Sequence, residues 1–268
     1  MRHAFSVLIL LLTAGTVWLF VGGRWQLPRS ISDFGATFDR QFYLTMFVIG
    51  VAFVAVQCCL GIFIWRSSEG KITKDNLRVE IVWVLFTAVV FLMLALLGQR
   101  VWAKLISKPN TENVFKVEVT AQQFQWNFHY AGIDHLFGTT KTELINDAET
   151  NYIGLDRNEE KAKDDILSSV LVVPVNRVVE LTMKSHDVTH SFWVAPLRFK
   201  QDIVPGVTTK ISFKPTQTGK YEIACAELCG AQHYKMKSYL LVVSEDEVNK
   251  LMQLSQDEFQ TTVTTLLR

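Results

Sequence analysis

The sequence predicts a membrane-anchored all-β protein: two transmembrane helices, with a third apolar segment before them, then a domain of short strands and a C-terminal helix. Three observations predict it. Two long apolar runs stand near the N-terminus, the second half alternates apolar and polar residues in short stretches, and the tail has a helix-start signature.

The first apolar run, Tyr43–Trp65, contains no charged residue, and the second, Ile81–Gly98, is followed by Gln99 and Arg100. Each approaches the roughly 20 residues that a helix needs to cross about 30 Å of hydrocarbon. Neither shows the polar stripe of a helix buried in a globular core. Residues 41–103 therefore read as a transmembrane hairpin. Residues 1–23 begin with a basic residue and continue apolar. They read as a signal peptide or an extra transmembrane helix, since the apolar stretch is long for a signal and lacks a small-residue cleavage site. The connection Arg66–Arg78 carries Arg66, Lys71, Lys74 and Arg78 against Glu69 and Asp75. The positive-inside rule puts it in the cytoplasm and everything after Arg100 on the outer face.

From residue 104 onward the pattern changes. Val114–Ala121, Arg177–Ser185, Thr209–Pro215, Gly219–Ala226 and Ser238–Ser244 read as strands. Short strands without long helices between them imply a sandwich or barrel over 104–244. A polar stretch, 131–165, is too long for an ordinary connection. It holds Asp134, Glu143, Asp147, Glu149, Asp156, Glu159, Glu160, Asp164 and Asp165 against four basic residues, an acidic face suited to steering a basic partner or a solvated loop. Residues 245–268 read as a helix, with Ser244 as N-cap and Glu247 closing a capping box. The formal charge of the whole chain is +1, and nothing in the sequence calls for a nucleic-acid partner.

Four cysteines divide into two kinds. Cys58 and Cys59 lie inside the first membrane run, where a thiol is an ordinary apolar side chain. Cys225 and Cys229 lie in the outer domain, where a disulfide is the simplest fate. Four residues apart, however, they would close only a short loop, which constrains the unfolded chain little. They are also interleaved with other donors: Cys225, Glu227, Cys229, His233 and Met236, in a C-x3-C-x3-H-x2-M pattern around Gly230. Thiolate with imidazole suits copper or zinc, and the thioether favours copper. A mononuclear blue-copper site uses a single cysteine, so the second thiolate points to a bridge between two coppers, each needing an imidazole. His233 supplies one. The other falls to the stretch Ser185–Val194, which offers both His186 and His190. Residues four apart on a strand share a face, so spacing does not choose between them.

These residues resemble subunit II of the haem–copper cytochrome c oxidases. The shared pattern is D-V-x-H-S-[FW] at Asp187–Phe192 and C-x-E-x-C-G-x-x-H-x-x-M at Cys225–Met236, with K-x-D-x-x-P-G at Lys200–Gly206 between them. The resemblance implies a cupredoxin-like β-sandwich holding a dinuclear CuA centre. Cys225 and Cys229 would bridge both coppers, His190 and Met236 would complete one, and His233 with the backbone carbonyl of Glu227 the other. The Glu227 carboxylate would face a magnesium ion shared with subunit I. His186 falls on a position the family does not use as a ligand. In Gln122–Tyr130 the family carries an aromatic segment over the copper. Here Phe124 stands where many members have the entry tryptophan, and Trp126 is retained. Glu80, at the inner start of the second membrane run, matches a glutamate near the mouth of a proton path. An ionisable group at the edge of a span carries a cost that suggests a role.

The resemblance covers roughly Gln41–Ser244. It implies the electron-entry subunit of a complex in a bacterial inner membrane, with the copper domain on the periplasmic face. Electrons would come from a cytochrome c-type donor and pass to haem in subunit I, where oxygen is reduced to water and protons are pumped. Other oxidase subunits would complete the assembly, and the haems would lie in the partner alone. A quinol-oxidase subunit keeps such a fold but lacks the copper ligands. A copper carrier with a C-x3-C pair has an αβ pattern and one span. A purely structural membrane subunit has no use for the clustered soft donors.

Overall fold

The structure, a computed structural model, describes residues 2–23, 27–67, 76–106 and 113–267, apart from the side chain of Asp147. Most of the connection 66–78, with the charged residues at 69, 71, 74 and 75, lies outside the described residues. The chain forms two compact units, one of residues 1–28 and 37–103 and one of residues 29–36 and 104–268.

The first unit is helical. Helices α1 (Arg2–Val21), α2 (Asp33–Arg66) and α3 (Leu77–Ile106) are each long and apolar enough to cross a membrane. Helix α1 packs on α2 through small residues. Ser6 Oγ donates to the Gly61 carbonyl at 2.7 Å, and a Cβ on Gly61 would meet Leu10 at 3.1 Å. His3 and Trp65 meet edge to face, with ring centroids 4.4 Å apart. No residue of α3 is buried, and between Ile81 and Gly98 it carries no charged side chain on any face, as expected of a helix facing lipid or another subunit. Asn76 caps α3, its Oδ1 accepting from the amides of Arg78 and Val79.

The second unit is a sandwich of two five-stranded sheets. Strands β1 (Val114–Gln122), β2 (Gln125–Tyr130), β3 (Ile166–Ser168), β4 (Leu171–Pro174) and β5 (Val178–Ser185) are followed by β6 (His190–Val194), β7 (Phe199–Ile203), β8 (Thr209–Phe213), β9 (Gly219–Cys225) and β10 (Lys237–Val243). One sheet has the order β3-β2-β1-β5-β8 and the other β4-β10-β9-β6-β7. Alternation explains the layering: β5 reads half-buried, buried, half-buried along its length, with Val179, Leu181 and Met183 inward. Val117, Val119, Ala121, Trp126, Phe128 and Tyr130 form the inner face of β1 and β2, against Phe192, Ile223 and Leu240 of the other sheet.

Residues 29–36 belong to this second unit. Ile31 is buried in the sandwich core, its amide bonded to the Pro196 carbonyl, and Ser32 bridges Pro215. A segment before α2 thus packs with a domain after α3.

The C-terminal segment is broken into two helices, α4 (Glu245–Leu251) and α5 (Gln256–Leu266). Ser244 and Glu247 form the capping box of α4, and Ser255 with Glu258 repeat it for α5. Val248, Leu251, Phe259 and Val263 face the core. The polar stretch between β2 and β3 has a small core of its own, Ile153, Leu155 and Ala162 with Leu167 against them. Its acidic residues are largely engaged within it. Asp164 accepts from the amides of Ile133 and Asp134, Asp156 pairs with Lys141 at 2.7 Å, and Glu159 accepts from the Thr139 amide. Asp165 is buried. The steering face expected of this stretch is thereby reduced to a few exposed groups.

Candidate metal centre

The soft donors collect at one end of the β6–β9–β10 sheet. Cys225 is the last residue of β9 and lies opposite Phe192 of β6, two residues beyond His190. The loop after β9 folds back so that the Cys225 amide donates to the Met236 carbonyl and the Ala226 amide to the Ser191 carbonyl. A 3-10 turn at His233–Lys235 then delivers Met236 to the start of β10. Gly230 makes the reversal with φ of +135°. A Cβ there would lie 2.7 Å from the Gln123 amide nitrogen and 3.1 Å from the Phe124 ring. No L side chain fits that position.

Around this loop the donors stand in a chain of close contacts. Cys225 Sγ and Cys229 Sγ are 3.8 Å apart, Cys229 Sγ is 3.6 Å from His233 Nδ1 and 3.8 Å from Met236 Sδ. Cys225 Sγ lies 4.0 Å from His190 Nδ1 and 3.2 Å from the Glu227 carbonyl oxygen. His190, Cys225, Cys229 and Met236 are buried, His233 is half-buried, and the Glu227 side chain is exposed. All six donors proposed from the sequence are therefore within one network. The ligand atoms of His190, Cys225 and Cys229 fall within 4.8 Å of one another.

The spacing excludes a disulfide and leaves room for a metal. Both cysteines are free, and a disulfide needs sulfurs about 2.05 Å apart. Two thiolates bound to one ion at about 2.3 Å and near the tetrahedral angle stand about 3.8 Å apart, the separation seen here. The donor set of two thiols, two imidazoles, a thioether and a carbonyl fits copper.

Electrostatics favour one thiolate at the outset. Burial pushes the Cys225 thiol up, but hydrogen bonds from His190, from backbone at Ser191 and Glu227, and from Cys229 outweigh it and lower its pKa well below the usual thiol value. Burial and the neighbouring Cys225 charge push Cys229 the other way. Cys225 is thus the readier of the two to ionise, and a bound cation would displace the proton of Cys229.

Two groups that sequence reasoning left without a role hold the histidine and the loop. Asp187 Oδ1 lies 2.8 Å from His190 Nε2, and Asp187 Oδ2 accepts from the Gln123 amide at 2.7 Å. The Asp187 carboxylate fixes the ring so that Nδ1 faces Cys225, the arrangement that outer partners impose on ligating histidines. Burial raises the carboxyl's pKa, but these bonds more than offset it and hold it below the ordinary range. Gln123 Nε2 donates to the Cys229 carbonyl at 2.6 Å. The aspartate three residues before the histidine is a signal in the sequence. Gln123 carries none, being 106 positions from its partner.

His186 is exposed and makes none of these contacts. Phe124 is half-buried against Gly230. Trp126 is buried with its ring 6.4 Å from that of His190 and 5.7 Å from that of Phe192. Glu80 is exposed in the first turn of α3, in the helical unit.

Residues 115–244 match the family described as cytochrome c oxidase subunit II, periplasmic domain. The chain is 29% identical over 259 residues to the alternative cytochrome c oxidase subunit 2 of Bradyrhizobium diazoefficiens, covering 93% of this chain and 91% of that one. It is 27% identical over 252 residues to cytochrome c oxidase subunit 2 of Thermostichus vulcanus, covering 82% and 76%. Among solved structures, the periplasmic domain of subunit II of cytochrome oxidase of Bradyrhizobium japonicum is 22% identical, covers 56% of this chain and 98% of that chain, and has a TM-score of 0.41. Residues 115–244, behind the apolar helices, thus match the cytochrome c oxidase subunit II periplasmic-domain family, and the chain as a whole is similar to subunit 2 of such oxidases.

Proposed function

We propose that the chain is the electron-entry subunit of a haem–copper oxidase in a bacterial inner membrane, its sandwich on the periplasmic face. The observation that carries this reading is the convergence of two thiols, two imidazoles, a thioether and a carbonyl in one buried network of contacts no longer than 4.0 Å. Cys225 and Cys229 would be shared between two coppers, with His190 and Met236 holding one and His233 with the Glu227 carbonyl the other. When bound, such a centre carries one electron shared between two ions, which spreads the change in charge and leaves little geometry to reorganise.

The chain's own residues do the rest. Burial excludes water from the sulfurs, and Asp187 and Gln123 fix a ligand ring and the loop, so the donors are set before the electron arrives. Phe124, half-buried over Gly230, is the entry point for an electron from a cytochrome c-type donor, and the Trp126 ring two residues on packs 6.4 Å from that of His190. The exposed Glu227 carboxylate is free to reach a magnesium ion shared with subunit I. Electrons continue to haem in that subunit, where oxygen is reduced and protons are pumped, and Glu80 marks a proton-path mouth at the start of α3.

Electron paramagnetic resonance of the copper-loaded full chain tests the ligand set. His190→Ala is expected to abolish the mixed-valence signal and His186→Ala to retain it, whereas the opposite pair of results would transfer the ligand role to His186.

A further inference from the structure

The sandwich holds a second buried histidine, away from the copper ligands. His129 lies on β2 directly opposite Glu118 of β1, with Leu167 of β3 on its other side. Its neighbours Phe128 and Tyr130 point into the core, so the pleat turns His129 outward. Yet it is 1% exposed, and Thr120 and Asn127 on the same outward face are buried as well. The cover comes from residues 131–165: the Phe137 ring meets the His129 ring edge to face at 5.1 Å, and Asp165 stands beside it.

Both ring nitrogens end on carboxylates. Nδ1 is 3.1 Å from Glu118 Oε2 and Nε2 is 2.7 Å from Asp165 Oδ2. A nitrogen facing a carboxylate must carry a proton, and with both nitrogens so placed the ring is an imidazolium. Asp165 Oδ2 also accepts the Gly138 amide at 2.8 Å, so the carboxylate joins the start of the insert to its end. Arg157 adds bonds to the carbonyls of Ala162 and Asp165, and Lys184 of β5 reaches Thr140 Oγ1 at 2.6 Å. The charged groups around the ring are thus Glu118, Asp165 and, towards Glu118, Lys184 and Lys210; Lys210 also pairs with Glu180.

We propose that residues 131–165 are a cap locked onto the outer face of the first sheet by the doubly protonated His129, and released when that ring loses a proton. Loss of the proton leaves a neutral ring able to donate to only one of two carboxylates. The other then faces a lone pair of a ring that is 1% exposed. The ring carries the sheet-to-cap tie to Asp165, while Glu118 anchors the ring to β1 and Lys184 makes a separate tie to Thr140.

The direction of the pH response follows. Burial alone would lower the His129 pKa, but the bonds to Asp165 and Glu118 outweigh it and raise it. The lock's contribution to stability is therefore complete below the ring's ordinary titration and is lost as pH rises through the elevated one. At the acid end, burial would raise Glu118, but His129 and the lysines hold it below its ordinary value. The lock survives acid until pH falls through that lowered point. The cap is closed between the lowered Glu118 titration and the raised His129 titration, and opens as pH passes the latter.

The test uses the purified full chain in detergent, and none of its readouts involves copper. Nitrogen-15 NMR of labelled histidine reports the ring state, and hydrogen exchange of peptides from 131–165, corrected for intrinsic rates and compared with β5 and β9, reports the cap. The expected result is both His129 nitrogens protonated at pH 7, with cap exchange rising at least tenfold as the ring titrates. His129→Gln is expected to exchange fast already at pH 7 with no step. Should that variant not fold, Glu118→Gln, at a partly exposed position, is expected to move the step to lower pH, and Lys141→Ala, which removes a pair remote from the ring, to leave it in place. A neutral ring at pH 7, a wild-type profile with no step, or an unmoved step in Glu118→Gln would overturn the proposal.

Discussion

Two buried histidines in one sandwich, His190 and His129, show what separates a ligand from a clamp. Each is at most 1% exposed and each faces an aspartate within 2.8 Å. His190 has its carboxylate on one nitrogen only, and the other turns toward a sulfur 4.0 Å away, a bond half made. His129 has carboxylates on both nitrogens and no lone pair left. An imidazole with one nitrogen fixed and one open is poised for a metal. With both closed, it is a cation that holds strands together. Burial and an acidic neighbour are common to both, so neither feature alone marks a metal site.

The largest expected effect falls on the open side. Cys225→Ser removes a bridging thiolate and the group most disposed to ionise, and copper titration of the full chain should lose the dinuclear species altogether. Retention of it would show that the sulfurs do not bridge. On the closed side, Asp165→Asn leaves the imidazolium with one partner in a dry site. Breaking a buried pair in this way costs about 3 kcal/mol, and chemical denaturation should show that loss in the sandwich while copper binding survives. A loss confined to copper would erase the distinction between the two histidines.

Smaller effects sharpen it. Asp187→Asn keeps the shape but weakens the hold on the His190 ring. Removing such an outer partner lowers metal affinity about 10- to 100-fold, measurable by competition with a chelator. His186→Ala should change that affinity by less than about twofold, since the side chain is exposed and outside the network; a larger drop would enrol it in the site. These two variants are at adjacent positions, three and four residues before His190, so the contrast between them is local.

The open site was largely legible in the sequence and the closed one was not. The Cys-x3-Cys-x3-His-x2-Met loop is local, so its donor types and spacing announce a metal before any fold is known. Strand β5, with its clean alternation, was legible for the same reason. Strands β3 and β4, of three and four residues, are too short to show a period, and β6 and β7 lie inside motifs whose chemistry masks their pattern. The break in the C-terminal helical segment was written in a second Ser-x-x-Glu, Ser255 to Glu258, which the length of the run obscured. The clamp joins Glu118, His129 and Asp165 across three elements and depends on the register of β1 and β2. Nothing within a short window of sequence connects them. The insert around Asp165 read as an acidic, solvated or steering stretch because its charges were counted without their partners.

The central claim, a dinuclear copper centre built by this chain alone, is tested most directly by titrating copper into the purified, reduced full chain and recording electron paramagnetic resonance at each step. The account predicts saturation at two coppers per chain and a hyperfine pattern from one electron shared equally by two copper nuclei. Saturation at one copper per chain, with the pattern of a single nucleus or no signal, would contradict it.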